Sequence, residues 1–277
     1  MNRDSTYWES RQETLPELQA VGYRSRSAGF NRWMYRARVR TTRGVVPRLL
    51  ATGLPRSGAR ILDVGAGRGF WVEFWSRELE SPRIWGVDVA PAAVEALRAR
   101  FPEHRFAVAD ASSPGALPEV AGGFHLVQAY DVLYHITDDR RFRQTLRALG
   151  SAVCPGGLLL VTDNFPSEDV STRPHVRLRA PESYERELPG FQLVADVPQY
   201  LLLNVPSGIR RPWLRWPAVL AWEGATTPAR WDPMGTALGA ILYGLDVALL
   251  PVLGRWSPST RLRVYRKGSA EREVVSV

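Results

Sequence analysis

Cysteine and lysine are almost missing from this chain. Among 277 residues, Cys154 is the sole cysteine and Lys267 the sole lysine. A single cysteine excludes an intramolecular disulfide and a thiolate metal cluster, and it suits a reducing cytoplasm. The lysine deficit leaves arginine to carry the formal net charge of +8. No block of five consecutive basic residues occurs. The charge therefore reads as the bias of a GC-rich genome, and no nucleic-acid partner is expected. Histidine is scarce as well: His104, His125, His135 and His175 lie far apart without metal-ligand spacing, so no metal is expected. The opening MNRDSTYWESRQ is polar, which argues against a secretory signal.

What is present is an ordinary globular mixture, 45% apolar and 23% charged, long enough for one large domain with insertions. From residue 59 onward, apolar strands alternate with amphipathic helices. Strands are expected at 59–65, 83–89, 105–110, 124–130 and 156–163, and helices at 69–79, 91–101 and 138–153. Two later strands are expected at 191–203 and 260–267. Such alternation implies a doubly wound, mostly parallel α/β sheet covered on both faces. The expected organisation is a helical cap at 1–58, a core at 59–205, a hydrophobic insertion at 206–258, and a last strand with its tail at 259–277.

The stretch ILDVGAGRGFW, 61–71, runs a buried strand into glycines 65, 67 and 69 and then into a helix. Glycines there permit unusual backbone angles and close ligand approach, and the helix start offers unpaired N–H groups. The dinucleotide fingerprint needs its third glycine where Phe70 stands, and the Gly-Lys-Ser/Thr ending of a P-loop is absent. The acidic-x-G-x-G-x-G pattern of Asp63, Gly65, Gly67 and Gly69 resembles motif I of the class I S-adenosylmethionine-dependent methyltransferases. Further markers follow in that family's order: Asp88 ending the second strand, Asp110 ending the third, FHLVQAYDVLYHI around the fourth, and LRALGSAVCPGGLLLVTD leading into the fifth. The resemblance implies a seven-stranded sheet with strand seven antiparallel between strands five and six. It implies S-adenosylmethionine as cofactor and S-adenosylhomocysteine as product. Asp63, Gly65, Ala66, Gly67 and Gly69 would form its cradle. Asp88 would meet the ribose and Asp110 with Ala111 the adenine, and Val89 and Ala129 are further candidate cofactor contacts. A carboxylate suits a ribose diol because it accepts two hydrogen bonds.

Methyl transfer from a sulfonium depends mainly on bringing a nucleophile close and in line. A base is needed only for a protonated acceptor, and His135 is the candidate, with a side chain whose ordinary pKa of about 6.5 suits proton transfer near neutrality. The alternative is that His135 only shapes the pocket. Asp131 and Tyr130 are the other candidates beside the methyl, Asp131 also as a ligand of the cofactor's amino group and Tyr130 also as wall. Tyr7, Tyr23, Trp33, Tyr35 and His175 are the candidate acceptor contacts. The Asp/Asn-Pro-Pro-aromatic signature of nucleobase amino methylation is absent from QAYDVLYH, again against nucleic acid.

The insertion holds MGTALGAILYGLDVALLPVL, flanked by Trp231 and Trp256. It is long enough for a membrane span, but Asp246 interrupts it at a cost. A lid over an apolar acceptor or a homodimer contact is favoured, then a membrane surface met through 233–254, then a span. The expected function is methylation, at oxygen first, of a small or medium apolar metabolite of natural-product biosynthesis. C- or N-methylation, non-methylating chemistry such as cyclisation, or binding alone are the alternatives. The expected location is the cytoplasm, with peripheral membrane contact.

Overall fold

A computed structural model describes residues 22–209 and 211–269; the expectation for Tyr7 falls outside them. The first element among the described residues is the long helix α1 (Ala28–Ala51). Then come β1 (Arg60–Val64), α2 (Phe70–Glu78), β2 (Arg83–Asp88), α3 (Pro91–Arg100), β3 (Arg105–Val108) and β4 (Phe124–Ala129). A 3-10 turn at Leu133–His135 leads to α4 (Asp139–Ala152) and β5 (Val153–Asp163). A hairpin of β6 (Val170–Arg173) and β7 (Val176–Leu178) precedes α5 (Pro181–Glu185) and β8 (Phe191–Pro198). Helices α6 (Pro212–Ala225) and α7 (Met234–Leu253) follow, and β9 (Arg261–Lys267) completes the sheet.

Seven strands pair in the order β3-β2-β1-β4-β5-β9-β8. The first five are parallel, and β9 runs antiparallel to both β5 and β8. The expected doubly wound sheet with an antiparallel strand seven is thus present. Alternate strand residues reach opposite faces. Ile61, Leu126 and Leu158 pack with Val45 and Leu49 of α1, Trp71 and Trp75 of α2, and Leu97 of α3. Leu62, Val127 and Leu159 pack with Phe142, Leu146 and Leu149 of α4 and Tyr184 of α5. Burial on both faces explains why these strands read as continuous apolar runs.

Several features depart from the expectations; β3 ends at Val108 rather than 110, and β8 at Pro198 rather than 203. Strand β5 begins at Val153 rather than 156, and the β4–β5 register shifts between Phe124 and Leu126. Gly156, at φ 76°, lets the turn-like CPGG stretch remain inside the strand as an irregularity. The β6–β7 hairpin has little apolar periodicity. Arg177 holds it down by donating to both oxygens of Asp139 at 2.8 Å, and buried Arg179 by donating to Ile136 O at 2.7 Å.

Helix α7 lies against α1. A Cβ on Gly239 would come within 2.8 Å of Trp33 Cδ1, and Trp33 stacks obliquely on Tyr243 at 5.2 Å. Asp232 secures the helix start by accepting from Ser27 Oγ at 2.8 Å and Gly29 N at 3.2 Å. Length and composition would let α7 cross a membrane. Asp246 lies within this helix. It is buried and accepts from the backbone N–H groups of Leu201, Leu202 and Leu203 at 3.1, 2.7 and 3.2 Å. The carboxylate that would burden a span instead closes the turn after β8. The opposite side of α7 exposes Ile241, Leu245 and Val252, with Trp231 and Trp256 exposed at its two ends.

Candidate active site

Strand β1 delivers Asp63 and then the glycine turn to the C-terminal edge of the sheet. Gly65, Gly67 and Gly69 have φ of 73°, 52° and 81°, in the left-handed region that favours glycine. A Cβ on Gly65 would overlap the Val132 Cγ2 methyl, and one on Gly69 would lie 2.5 Å from Phe101 Cε2. The turn is therefore a close backbone cradle that no side chain could replace. Gly65 N and Ala66 N donate to Val87 O at 2.8 and 3.1 Å, which ties the turn to β2.

Asp63 is buried and oriented from behind. Trp75 Nε1 donates to Gln128 Oε1 at 2.7 Å, and Gln128 Nε2 donates to Asp63 Oδ1 at 2.8 Å. Asp63 Oδ2 is buried without a hydrogen-bond partner. Burial, and secondarily the charge of Asp88 against the hydrogen bond from Gln128, pushes the carboxyl up to about 7. A buried acid with an unsatisfied oxygen matches a cationic donor such as the amino group of an amino acid.

Asp88 accepts from Gly67 N at 2.8 Å and Ala90 N at 2.9 Å, so it clamps the cradle to the end of β2. Val89 beside it is half-buried. Asp110, at the end of β3, accepts from Ser112 N at 2.9 Å and from Arg141 Nη2 at 2.7 Å. Ala111 and Ala129 are buried. The candidate cofactor residues are thus spread along one edge of β1 to β4, as the topology requires.

Beyond that edge lies a cavity of about 540 Å³. Asp131 and His135 after β4, Asn164 after β5, Tyr23, His175 and Arg215 all line it. Asp131 has φ 57°, unusual for a residue with a side chain, and is fixed by Thr162, whose Oγ1 donates to Asp131 Oδ1 at 2.9 Å. Arg38 of α1 stands 2.5 Å from Asp131 Oδ2; this is an ion pair by distance, although the N–H direction does not meet hydrogen-bond geometry. Arg38 Nε also donates to Tyr200 OH at 2.8 Å. Burial opposes its charge, but Asp131 beside it holds the guanidinium well above its usual value. Nothing in the sequence pattern around Arg38 distinguished it from its neighbouring arginines.

His135 Nδ1 lies 3.0 Å from His175 O, and the two rings stack at 6.0 Å. A carbonyl only accepts, so Nδ1 carries the proton and Nε2 of the neutral ring keeps its lone pair. The floor is a polar chain. Tyr23 OH donates to Asn204 Oδ1 at 2.7 Å, Asn204 Nδ2 to Thr260 Oγ1 at 2.9 Å, and Thr260 Oγ1 to Asn164 Oδ1 at 2.9 Å. Of these, Tyr23 is a sequence candidate, while Asn164, Asn204 and Thr260 carry no local signal because the fold gathers them from distant segments.

The structure brings only some of the candidates together. Asp131, His135, Tyr23 and His175 meet at the cavity. Tyr130 does not: its hydroxyl is buried with Thr42 Oγ1 and accepts from Gln199 Nε2 at 3.1 Å, while its ring stacks on Trp71 at 3.9 Å. Trp33 packs on α7. Tyr35 is buried against Phe70 at 4.5 Å and lies under Arg38. Among the described residues, no group of three or more His, Cys, Asp or Glu side chains could hold a metal.

Residues 61–157 match the methyltransferase domain family. Malonyl-[acyl-carrier protein] O-methyltransferase of Serratia marcescens is 29% identical over 101 residues, which are 36% of this chain and 37% of that protein. The chain thus matches little more than a third of that relative's length. N-methyltransferase NodS from Bradyrhizobium japonicum WM9, solved with S-adenosylhomocysteine, superposes with a TM-score of 0.54 at 15% identity, covering 96% of this chain and 99% of NodS. The [4+2]-cyclase SpnF superposes with a TM-score of 0.51 at 18% identity, covering 82% and 81%. The cradle's glycines and the unsatisfied oxygen of Asp63 fit S-adenosylmethionine. By its sheet and its superpositions the chain carries the class I methyltransferase fold, and residues 61–157 within it match a methyltransferase domain.

Proposed function

We propose that the protein transfers a methyl group to a small or medium, largely apolar metabolite, with oxygen as the acceptor atom. One observation carries this reading: cofactor cradle and cavity meet at a single wall. The cradle's Gly65 abuts Val132, and the neighbouring Asp131 and His135 line the cavity. S-adenosylmethionine supplies an activated methyl on its sulfonium. The chain's own part is to hold and align. Gly65, Gly67 and Gly69 let the backbone approach the cofactor, Asp63 receives its amino group, and Asp88 and Asp110 stand where the ribose and adenine are expected.

On the acceptor side, His135 Nε2 takes the proton of a hydroxyl nucleophile, while His175 O fixes the ring's tautomer. The Serratia relative is named as an O-methyltransferase, which supports oxygen. The exposed apolar face of α7, with a tryptophan at each end, fits a membrane surface, with a second copy as the other reading. The likeness of fold to a cyclase makes product identity the deciding test. Incubation with methyl-labelled S-adenosylmethionine and candidate hydroxylated lipids or polyketides should yield S-adenosylhomocysteine and labelled product in equal amounts. A converted acceptor without label would establish non-methylating chemistry instead.

A further inference from the structure

Among the described residues four arginines line the cavity: Arg24, Arg38, Arg173 and Arg215. Asp131 is the one carboxylate among those described in the same wall, and Arg38 already pairs with it. Arg173 reaches Glu223 at 3.3 Å, and Arg24 is exposed to water. Arg215 differs from all three. It is only 2% exposed. Among the described residues its side chain makes one hydrogen bond, from Nε to Ile209 O at 2.9 Å, and Nη2 is buried with no partner. Among the described residues no carboxylate stands within ion-pair range of it. A buried guanidinium without an anion is a costly arrangement, because desolvation is not offset by any counter-charge.

We infer that the acceptor carries an anionic group, a carboxylate or phosphate, and that Arg215 is the residue that binds it. Helix α6 presents Arg215 on the same wall as Trp216 and Val219, and Met34 and Leu178 face the same space. The acceptor is therefore an anionic amphiphile, with its charge at Arg215 and its apolar portion against these side chains. Arginine suits either anion, since its planar fork matches two oxygens at once. Arg215 acts in binding and selection, not in proton transfer. This inference rests on the methyl-transfer reading for the word acceptor, but the anion site itself can be tested without turnover.

The test is calorimetric titration of the full chain, with and without S-adenosylhomocysteine, using dodecanoate, dodecyl phosphate and dodecanol. Both anions are expected to bind more tightly than dodecanol, and their order separates a carboxylate from a phosphate acceptor. Arg215→Gln should weaken the anions by about tenfold or more, since a hydrogen bond to a charged group is worth that much, and leave dodecanol unchanged. Arg215→Met should melt no lower than the parent, because it removes an unpaired buried charge. Dodecanol binding as tightly as the anions would overturn the inference. So would anion affinity unaltered in Arg215→Gln, or marked destabilisation of Arg215→Met with anion binding retained. Failure to bind S-adenosylhomocysteine would instead sink the methyl-transfer reading, leaving the Arg215 comparison readable on its own.

Discussion

Arg38 and Asp131 form an ion pair, 2.5 Å apart, between the first described helix and the turn after β4. Their side chains are only 11% and 14% exposed, so each depends on the other for its counter-charge. Arg38→Met or Asp131→Asn alone should cost about 3–5 kcal/mol, while the double variant should recover much of that loss. Denaturant unfolding of the four proteins in this cycle checks it. Additive losses would mean that the pair is not coupled.

His135→Ala should lower turnover by about a hundredfold or more if its Nε2 takes the acceptor proton. Affinity for S-adenosylhomocysteine should stay as it was. Unchanged turnover would reduce His135 to a pocket wall.

Asp63 gives a pH signature. Its folded-state value of about 7 lies above the ordinary 3.8, so the fold favours the protonated carboxyl. That contribution to stability is complete below about 4 and is lost as pH rises through about 7. Melting temperature of the ligand-free protein should therefore fall from about pH 4 to about pH 7 and level off above, and Asp63→Asn should flatten the fall. Asp163, also pushed up to about 7 by burial, adds a second component that Asp63→Asn leaves in place. The same variant should weaken S-adenosylmethionine. With the parent, binding near neutrality should release a proton, seen as calorimetric heats that depend on the buffer. Heats independent of buffer would remove Asp63 as the partner of the cofactor's amino group.

For α7, the expected outcome is co-sedimentation with phosphatidylglycerol vesicles, weaker with phosphatidylcholine, since Arg230 and Arg255 flank the exposed face. Ile241→Glu combined with Leu245→Glu should reduce vesicle binding at least about tenfold by removing two buried apolar side chains from the lipid. Binding of S-adenosylhomocysteine should be untouched. A monodisperse dimer that ignores vesicles would assign the face to a second copy.

The parts of this molecule that could be read from its sequence are those whose information is local. The strand-glycine-helix run at 61–71 carries its own backbone requirements, and the buried strands carry their own apolar runs. Arg38 was invisible because only the packing of α1 against β4's turn makes it different from the arginines around it. Tyr130 was read as lying beside the methyl because it follows β4 directly, but its side chain turns into the core toward Thr42 and Gln199. The hairpin at 170–178 was missed because arginine contacts to Asp139, rather than alternating apolar residues, hold it in place. Asp246 was legible as an anomaly within an apolar run, while its purpose depended on a loop more than forty residues earlier.

The methyl-donor cradle is encoded in one short stretch, from Asp63 to Asp131, whereas the cavity floor joins Tyr23, Asn164, Asn204 and Thr260. The two halves of the site therefore have different capacities for inheritance. A gene exchange that replaced everything after β5 would change Asn164, His175, Asn204 and Arg215 while leaving the cradle, Tyr23, Arg38 and His135 in place. Descendants of such an exchange would keep their cradle while diverging in what they methylate, and kinship among them would be easiest to trace where it says least about substrate.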